Sequence, residues 1–194
     1  SFELDEYASR MEKKRLLLVT QGYDPKQHYP RRAFNEKRRG VCFIGHHEKG
    51  REELIEAVLH EEIPVFIAGR GWKRLANRHS RNPGLIYGGD GIYGDAYAIK
   101  ICEYMVGLGL LSDWIPEKHT TRTFEIPACG TILATKNNDE TAAFFEKNEA
   151  LFYNNPHELI VKLKELFCNP EEATILASNG CRRVTENGFD YKSI

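Results

Sequence analysis

The chain has 194 residues, a length suited to one domain. Hydrophobic residues make up 41% and charged residues 28%, which excludes a disordered or fibrous chain. Lys plus Arg (27) nearly balances Asp plus Glu (28), so no global basic field draws the protein to nucleic acid or an anionic membrane.

The apolar runs are only a few residues long, so no membrane-spanning helix is expected. The opening Ser1-Phe2-Glu3-Leu4-Asp5 is acidic and polar, unlike a signal peptide. Lacking an initiator Met, the sequence reads as a processed chain or a piece of a longer one. The five cysteines, Cys42, Cys102, Cys129, Cys168 and Cys181, form no Cys-x-x-Cys. They read as core thiols in a reducing, cytoplasmic setting. The histidines show no zinc spacing, and the adjacent pair His46-His47 lacks a His-Glu-x-x-His frame.

In chain order, Glu3 to Arg15 is charged and suits a short helix. An apolar run follows, Leu16-Leu17-Leu18-Val19. Residues 21–40 are polar with two prolines and read as a connector, so residues 1–39 form an N-terminal helix, strand and connector, and 40–194 the main domain. Val41-Cys42-Phe43-Ile44 is continuously apolar and ends at Gly45. Such a run suits a strand buried on both faces, as in a parallel sheet. Glu52 to His60 carries apolar residues at helical spacing. Val65-Phe66-Ile67-Ala68, ending at Gly69, is a second buried strand. Residues 70–81 read as a basic loop, and Leu85-Ile86-Tyr87 as a third strand. A helix near 95–103, a strand at 105–111, a helix at 123–129 and a strand at 131–134 continue the alternation. A helix at 139–147 and a strand at 150–153 follow. Two final helices carry start signals, Asn155-Pro156 and Asn169-Pro170, each with Glu shortly after, as in a capping box.

Alternating strands and helices predict an α/β fold: a doubly wound, Rossmann-like parallel sheet with helices on both faces. Ligands in such folds bind beyond the carboxyl ends of the strands. Four loops therefore carry the candidate chemistry. The first, from Gly45 to Arg51, leads into a helix whose amides suit a phosphate, with Lys49 adding charge; it reads equally as a solvated basic turn. The second, Gly69-Arg70-Gly71-Trp72, offers Arg70 to a diphosphate and Trp72 to a base or sugar. Trp72 reads otherwise as a core anchor. The third, Gly89 to Gly94, matches the dinucleotide pattern G-x-G-x-x-G after a strand, but two strand–helix units precede it, whereas that pattern normally opens its fold. The fourth holds Thr120, Thr121 and Thr123 at a helix start, Arg122 beside them, and Glu117 and Glu125 with seven residues between. Either these groups bind a ligand with sugar hydroxyls at both ends of a diphosphate, or they cap a helix and stay solvated.

Thr120-Thr121-Arg122-Thr123-Phe124-Glu125-Ile126-Pro127-Ala128-Cys129-Gly130 resembles the signature of the CgeB-type, spore-maturation-protein glycosyltransferase-like family, the carboxyl-terminal half of GT-B-fold glycosyltransferases. The stretches QGYDP (21–25), VCFIG (41–45), VFIAGRGW (65–72) and LIYGG (85–89) fall in the family's order, and the resemblance spans roughly 16–190. It implies a donor-binding domain that takes a nucleoside-diphosphate sugar and transfers a hexose-type sugar to an acceptor. In the wider retaining group a Glu-x7-Glu pair binds the donor, so Glu125 would hold the ribose and Glu117 would lie by the transferred sugar as the catalytic carboxylate. The loop groups Gly45, Lys49, Arg70, Gly71, Trp72, Tyr87, Gly88, Thr120, Thr121, Arg122 and Thr123 would contact the donor. The sequence departs from the group at the first loop, with His46 where Arg is usual and a shorter spacing to Lys49. Such transferases use no cofactor and no metal. Their amino-terminal acceptor domain would have no room in 194 residues, so an isolated, weakly binding, inactive half prone to self-association is expected. A non-catalytic nucleotide-binding module and a dinucleotide-dependent oxidoreductase domain are the competing readings.

Overall fold

The computed structural model describes residues 4–17 and 19–194, so Glu3 and Leu18 lie outside the described residues. The elements are α1 (Leu4–Arg10), β1 (Arg38–Ile44), α2 (Lys49–His60), β2 (Val65–Ala68), α3 (Lys73–Arg78), β3 (Leu85–Tyr87) and α4 (Gly94–Cys102). Then come β4 (Tyr104–Gly109), α5 (Arg122–Ala128), β5 (Ile132–Lys136), α6 (Asp139–Phe144), β6 (Leu151–Tyr153), α7 (Pro156–Cys168) and α8 (Pro170–Glu186). The six strands form one parallel sheet in the order β3-β2-β1-β4-β5-β6.

The continuous apolar runs work because both faces of the sheet are covered. Successive side chains point to opposite faces. Val41, Phe43, Val65 and Ile67 pack with α2, α7 and part of α8. Cys42, Ile44, Phe66 and Ala68 pack with α4, α5 and Val184. On the second face β4 carries glycines where α5 lies close: a Cβ on Gly107 would stand 2.7 Å from the Ile126 side chain.

Both terminal helices start as their sequences predict. Asn155 Oδ1 accepts from the Glu158 amide at 2.9 Å, with Pro156 opening the helix. The Glu158 carboxylate reaches one residue beyond the cap, to the Asn154 amide at 2.8 Å. Asn169 receives the Glu172 amide more weakly, at 3.4 Å.

Four expectations need correction. The basic loop at 70–81 contains α3, which one buried leucine, Leu75, anchors among cations. The apolar run at 16–19 forms no strand in its described residues. Leu17 and Val19 are exposed and pair with no strand of the sheet. The helix expected to reach 147 ends at Phe144, since Phe145 turns extended and buries its ring. Residues 21–36 are also more than a connector. Tyr23 is buried and bridges to Asp190, with its amide on the Phe189 carbonyl and its carbonyl taking the Tyr191 amide. Among the described residues no helix is long and apolar enough to cross a membrane.

Candidate functional site

Chain direction across the sheet reverses between β1 and β4, and the loops after these strands part there. A cleft of about 680 Å³ opens at that point. Its floor holds Gly45, Ser112, Thr121 and Arg122; its walls bring in Arg70, Glu117, Tyr97 and Glu125. Both ends of the chain contribute, through Asp24, Gln27 and His28 on one side and Tyr191 on the other.

Glu125 sits one turn into α5 and faces the cleft. Its Oε2 accepts the Tyr97 hydroxyl at 2.9 Å, while Oε1 lies 3.9 Å from His28 Nε2. Burial, with the Glu125 charge second, holds the Tyr97 hydroxyl well above its ordinary pKa, so it stays a phenol and donates. Arg122 is the first residue of α5 and its guanidinium lies over the Phe43 ring at 5.6 Å. Its terminal nitrogens reach the Ile44 and Leu110 carbonyls only at 3.5 Å each, and Nε is buried without a partner. This is a cation whose hydrogen-bonding capacity the fold leaves largely unspent.

Glu117 lines the same cleft. Its Oε1 accepts from the Ser112 amide at 2.8 Å and stands 3.9 Å from Arg51. Arg51 was not singled out by the resemblance, yet it is buried at the cleft edge, donating to the Leu111 and His46 carbonyls and pairing with Glu48 at 2.8 Å. Burial lowers its pKa from the ordinary value, and Glu48 acts against that.

Several expected ligand groups are engaged elsewhere. Thr123 is buried and its hydroxyl accepts from the Thr120 amide at 3.1 Å, so it caps the turn. Thr120 is also buried, with its hydroxyl turned inward. Trp72 is fully buried: it stands edge-on to Phe43 and His47 and its Nε1 donates to the Gly45 carbonyl at 2.8 Å. It therefore supports the first loop from beneath and cannot stack on a base. Gly71 turns away from the cleft beside His47. Lys49 points into solvent and meets Glu53 at 3.8 Å. Tyr87 donates to Asp90 at 2.7 Å, and Gly88 is pressed against Phe66; the third loop reaches the cleft instead through Gly91, Ile92, Tyr93 and Gly94.

The start of α2, expected to offer amides to phosphate, is capped from within. Asp113 Oδ2 accepts the Gly50 amide at 3.0 Å, and Glu48 Oε2 takes the Asp113 amide at 2.6 Å and the Ser112 hydroxyl at 3.1 Å. Gly69 explains why the first two loops lie so close. Its φ is +136°, and a Cβ there would fall 2.0 Å from the Gly45 carbonyl oxygen. The G-x-G-x-x-G stretch follows β3, the sheet edge, and not β1 at the switch point, where a dinucleotide turn belongs.

His28, Tyr97 and Tyr191 were not among the expected site residues. They lie far apart in sequence, and only QGYDP at 21–25 hinted at one of them by preceding His28.

The sheet order and the arginine-bearing cleft at its reversal define a Rossmann-like α/β domain. Residues 47–194 match the glycosyl transferase-like family, and the chain belongs to that family. No curated protein matches its sequence. Among solved structures it is similar to sucrose-phosphate synthase (tll1590) from Thermosynechococcus elongatus, with TM-score 0.72 and 18% identity over 100% of this chain and 54% of that one. Anabaena Alr3699/HepE, solved in complex with UDP and glucose, gives TM-score 0.73 and 13% identity over 95% of this chain and 56% of that one. The C-terminal domain of the group 1 glycosyl transferase LpcC from Francisella tularensis gives TM-score 0.63 and 14% identity over 86% of this chain and 98% of that domain. The chain thus spans about half the length of the first two. Its single six-stranded, Rossmann-like parallel sheet is the fold shared with about half of each of the first two structures.

Proposed function

We propose that this chain is the donor-binding domain of a glycosyltransferase and takes a nucleoside-diphosphate sugar in the cleft at the β1–β4 switch point. The observation that carries the reading is Glu125 beside Arg122. A carboxylate held by Tyr97 faces the cleft on one side, and an under-satisfied guanidinium faces it on the other. Glu125 suits the ribose hydroxyls, and Arg122 with Arg70 suits the diphosphate, to which planar guanidinium forks bind in two-point fashion. The UDP and glucose of the HepE structure support a donor of this class.

The finer features extend the same reading. The Glu117-x7-Glu125 spacing supports a retaining transferase with Glu117 near the transferred hexose, and the TTRTFEIPACG resemblance supports the CgeB type. Arginines would stabilise the departing diphosphate by preorganised charge, without metal or cofactor. The acceptor would come from a second α/β domain, without which the cleft holds donor but does not orient an acceptor. Free thiols fit a cytoplasmic setting. A non-catalytic nucleotide-binding module is the second reading. It is favoured by one feature, the start of α2, where Asp113, itself held by Glu48, occupies the Gly50 amide that a phosphate would otherwise take.

Calorimetry with UDP, GDP, ADP and NAD tests the proposal. At least one nucleoside diphosphate should bind more tightly than NAD, and Glu125→Gln should cost about 1.5–3 kcal/mol of that affinity. NAD binding without any diphosphate binding would sink it. If diphosphates bind but a two-domain form releases none from any nucleotide sugar in the presence of acceptors, the binding-module reading takes its place.

A further inference from the structure

We infer that His28 and Glu125 together grip one ribose hydroxyl, so that the cleft selects ribonucleotides over their deoxy forms. This rests on the proposed donor function and adds a second group to the sugar site, from a segment outside the family signature.

His28 is held in one orientation. Its Nδ1 accepts from the Asp24 amide at 3.2 Å, so the ring proton of the neutral imidazole sits on Nε2. The turn that presents it is tight: the Gln27 and His28 amides both donate to the Asp24 carbonyl, at 3.0 and 2.8 Å. Asp24 Oδ1 accepts the Lys26 amide at 2.9 Å and Oδ2 the Gln27 side chain at 3.0 Å. Tyr97 packs edge-on against the imidazole, with centroids 5.9 Å apart. The residue is only 7% exposed, and the cleft is where its Nε2 emerges.

Across from Nε2, Glu125 Oε1 lies at 3.9 Å. That is too long for a hydrogen bond between them and leaves room for an oxygen that bonds both. One oxygen about 2.8 Å from each would sit about 2 Å off the line between them. The two neighbours dictate its chemistry. The oxygen must accept from Nε2–H and also donate to a carboxylate. A hydroxyl does both; a carbonyl or phosphate oxygen cannot donate, and an ammonium cannot accept. The other carboxylate oxygen is fixed by Tyr97, so Glu125 cannot swing to close the gap. Tyr97 is thus a positioning residue, and His28 and Glu125 are the reading pair.

The test titrates UDP, GDP and ADP, and the 2′-deoxy and 3′-deoxy form of each, into wild type, His28→Phe, His28→Ala and His28→Gln. Wild type should bind the ribonucleotide at least tenfold more tightly than the analogue lacking the gripped hydroxyl. The Phe variant keeps the ring and removes the donor. It and the Ala variant should lose about three- to tenfold for the ribonucleotide and nothing for that analogue. Gln, whose amide nitrogen reaches close to the Nε2 position, should recover part of the loss. Equal losses for ribo and both deoxy forms, or no loss while wild type binds, overturn the role of His28 and leave the donor reading standing. If the variants do not fold, wild type alone decides, and equal affinity for ribo and both deoxy forms overturns the inference. Failure of wild type to bind any diphosphate overturns the donor reading and this inference with it.

Discussion

Arg122 is expected to serve binding at no benefit to folding, and Arg122→Met separates the two. As the first residue of α5 it puts a cation at the positive end of the helix dipole, an arrangement that costs about 0.3–1 kcal/mol. Its two carbonyl contacts lie at 3.5 Å, the outer limit of hydrogen bonding, and its Nε is buried unpaired. Against these stands one ring contact with Phe43, worth about 0.5–1 kcal/mol. Met keeps most of the aliphatic stem, and with it the packing. The terms nearly cancel. The variant should unfold in urea within about 1 kcal/mol of wild type, and on the stable side if the dipole and desolvation terms dominate. Binding should respond differently. A guanidinium–phosphate hydrogen bond contributes about 1.5–3 kcal/mol, so affinity for a nucleoside diphosphate should fall about ten- to hundredfold, and less for the monophosphate. Urea unfolding and calorimetry on the same preparation read both numbers. A variant that loses more than about 2 kcal/mol of stability and keeps its diphosphate affinity would place Arg122 in the fold and outside the site.

Two further expectations concern stability alone. The Glu158 carboxyl is pulled down to about 2, first by Lys162 and next by the Asn154 amide, from an ordinary value of 4.5. A depressed carboxylate stabilises above its unfolded value and loses that contribution as pH falls towards its folded one. Glu158→Gln should therefore have a lower urea midpoint than wild type at pH 6, and the gap should narrow between pH 4.5 and 3; a gap independent of pH refutes the assignment. Gly69→Ala should cost at least about 3 kcal/mol, because the new Cβ meets the Gly45 carbonyl in a strained backbone region. Gly89→Ala shares the positive φ, at +91°, but has open space, so it should cost markedly less. Equal costs would show that the contact with Gly45 is not what fixes glycine at 69.

The strands were legible because a parallel sheet buries both faces, and runs such as 41–44 and 65–68 need only be apolar, short and closed by glycine. The capped starts of α7 and α8 were legible because Asn-Pro names both the acceptor and the first helical residue. By contrast, α3 rests on one buried leucine, too little to make a periodic signal among Lys73, Arg74 and Arg78. Pattern could not decide the fate of Trp72, since a core anchor and a base platform look alike until its Nε1 finds the Gly45 carbonyl. The signature marked Glu125 but not its surroundings. Residues 28, 97 and 125 meet only through the fold, and periodicity reports which face is buried, not which polar atom another will find.

The clasp between Tyr23 and Asp190 has a consequence for biogenesis. It joins residues more than 160 positions apart, and His28 and Tyr191 take their places in the cleft on either side of it. A chain made from its amino end can assemble β1 through β4, and even α5, before the partner of Tyr23 exists. Contacts so distant in sequence form late, after the chain between them has been ordered. A product that stops short of residue 189 should keep the sheet and lack one wall of the cleft. The cleft would thus be complete only after residue 191 has been made. A nucleotide that binds only the clasped form would add to its stability by mass action.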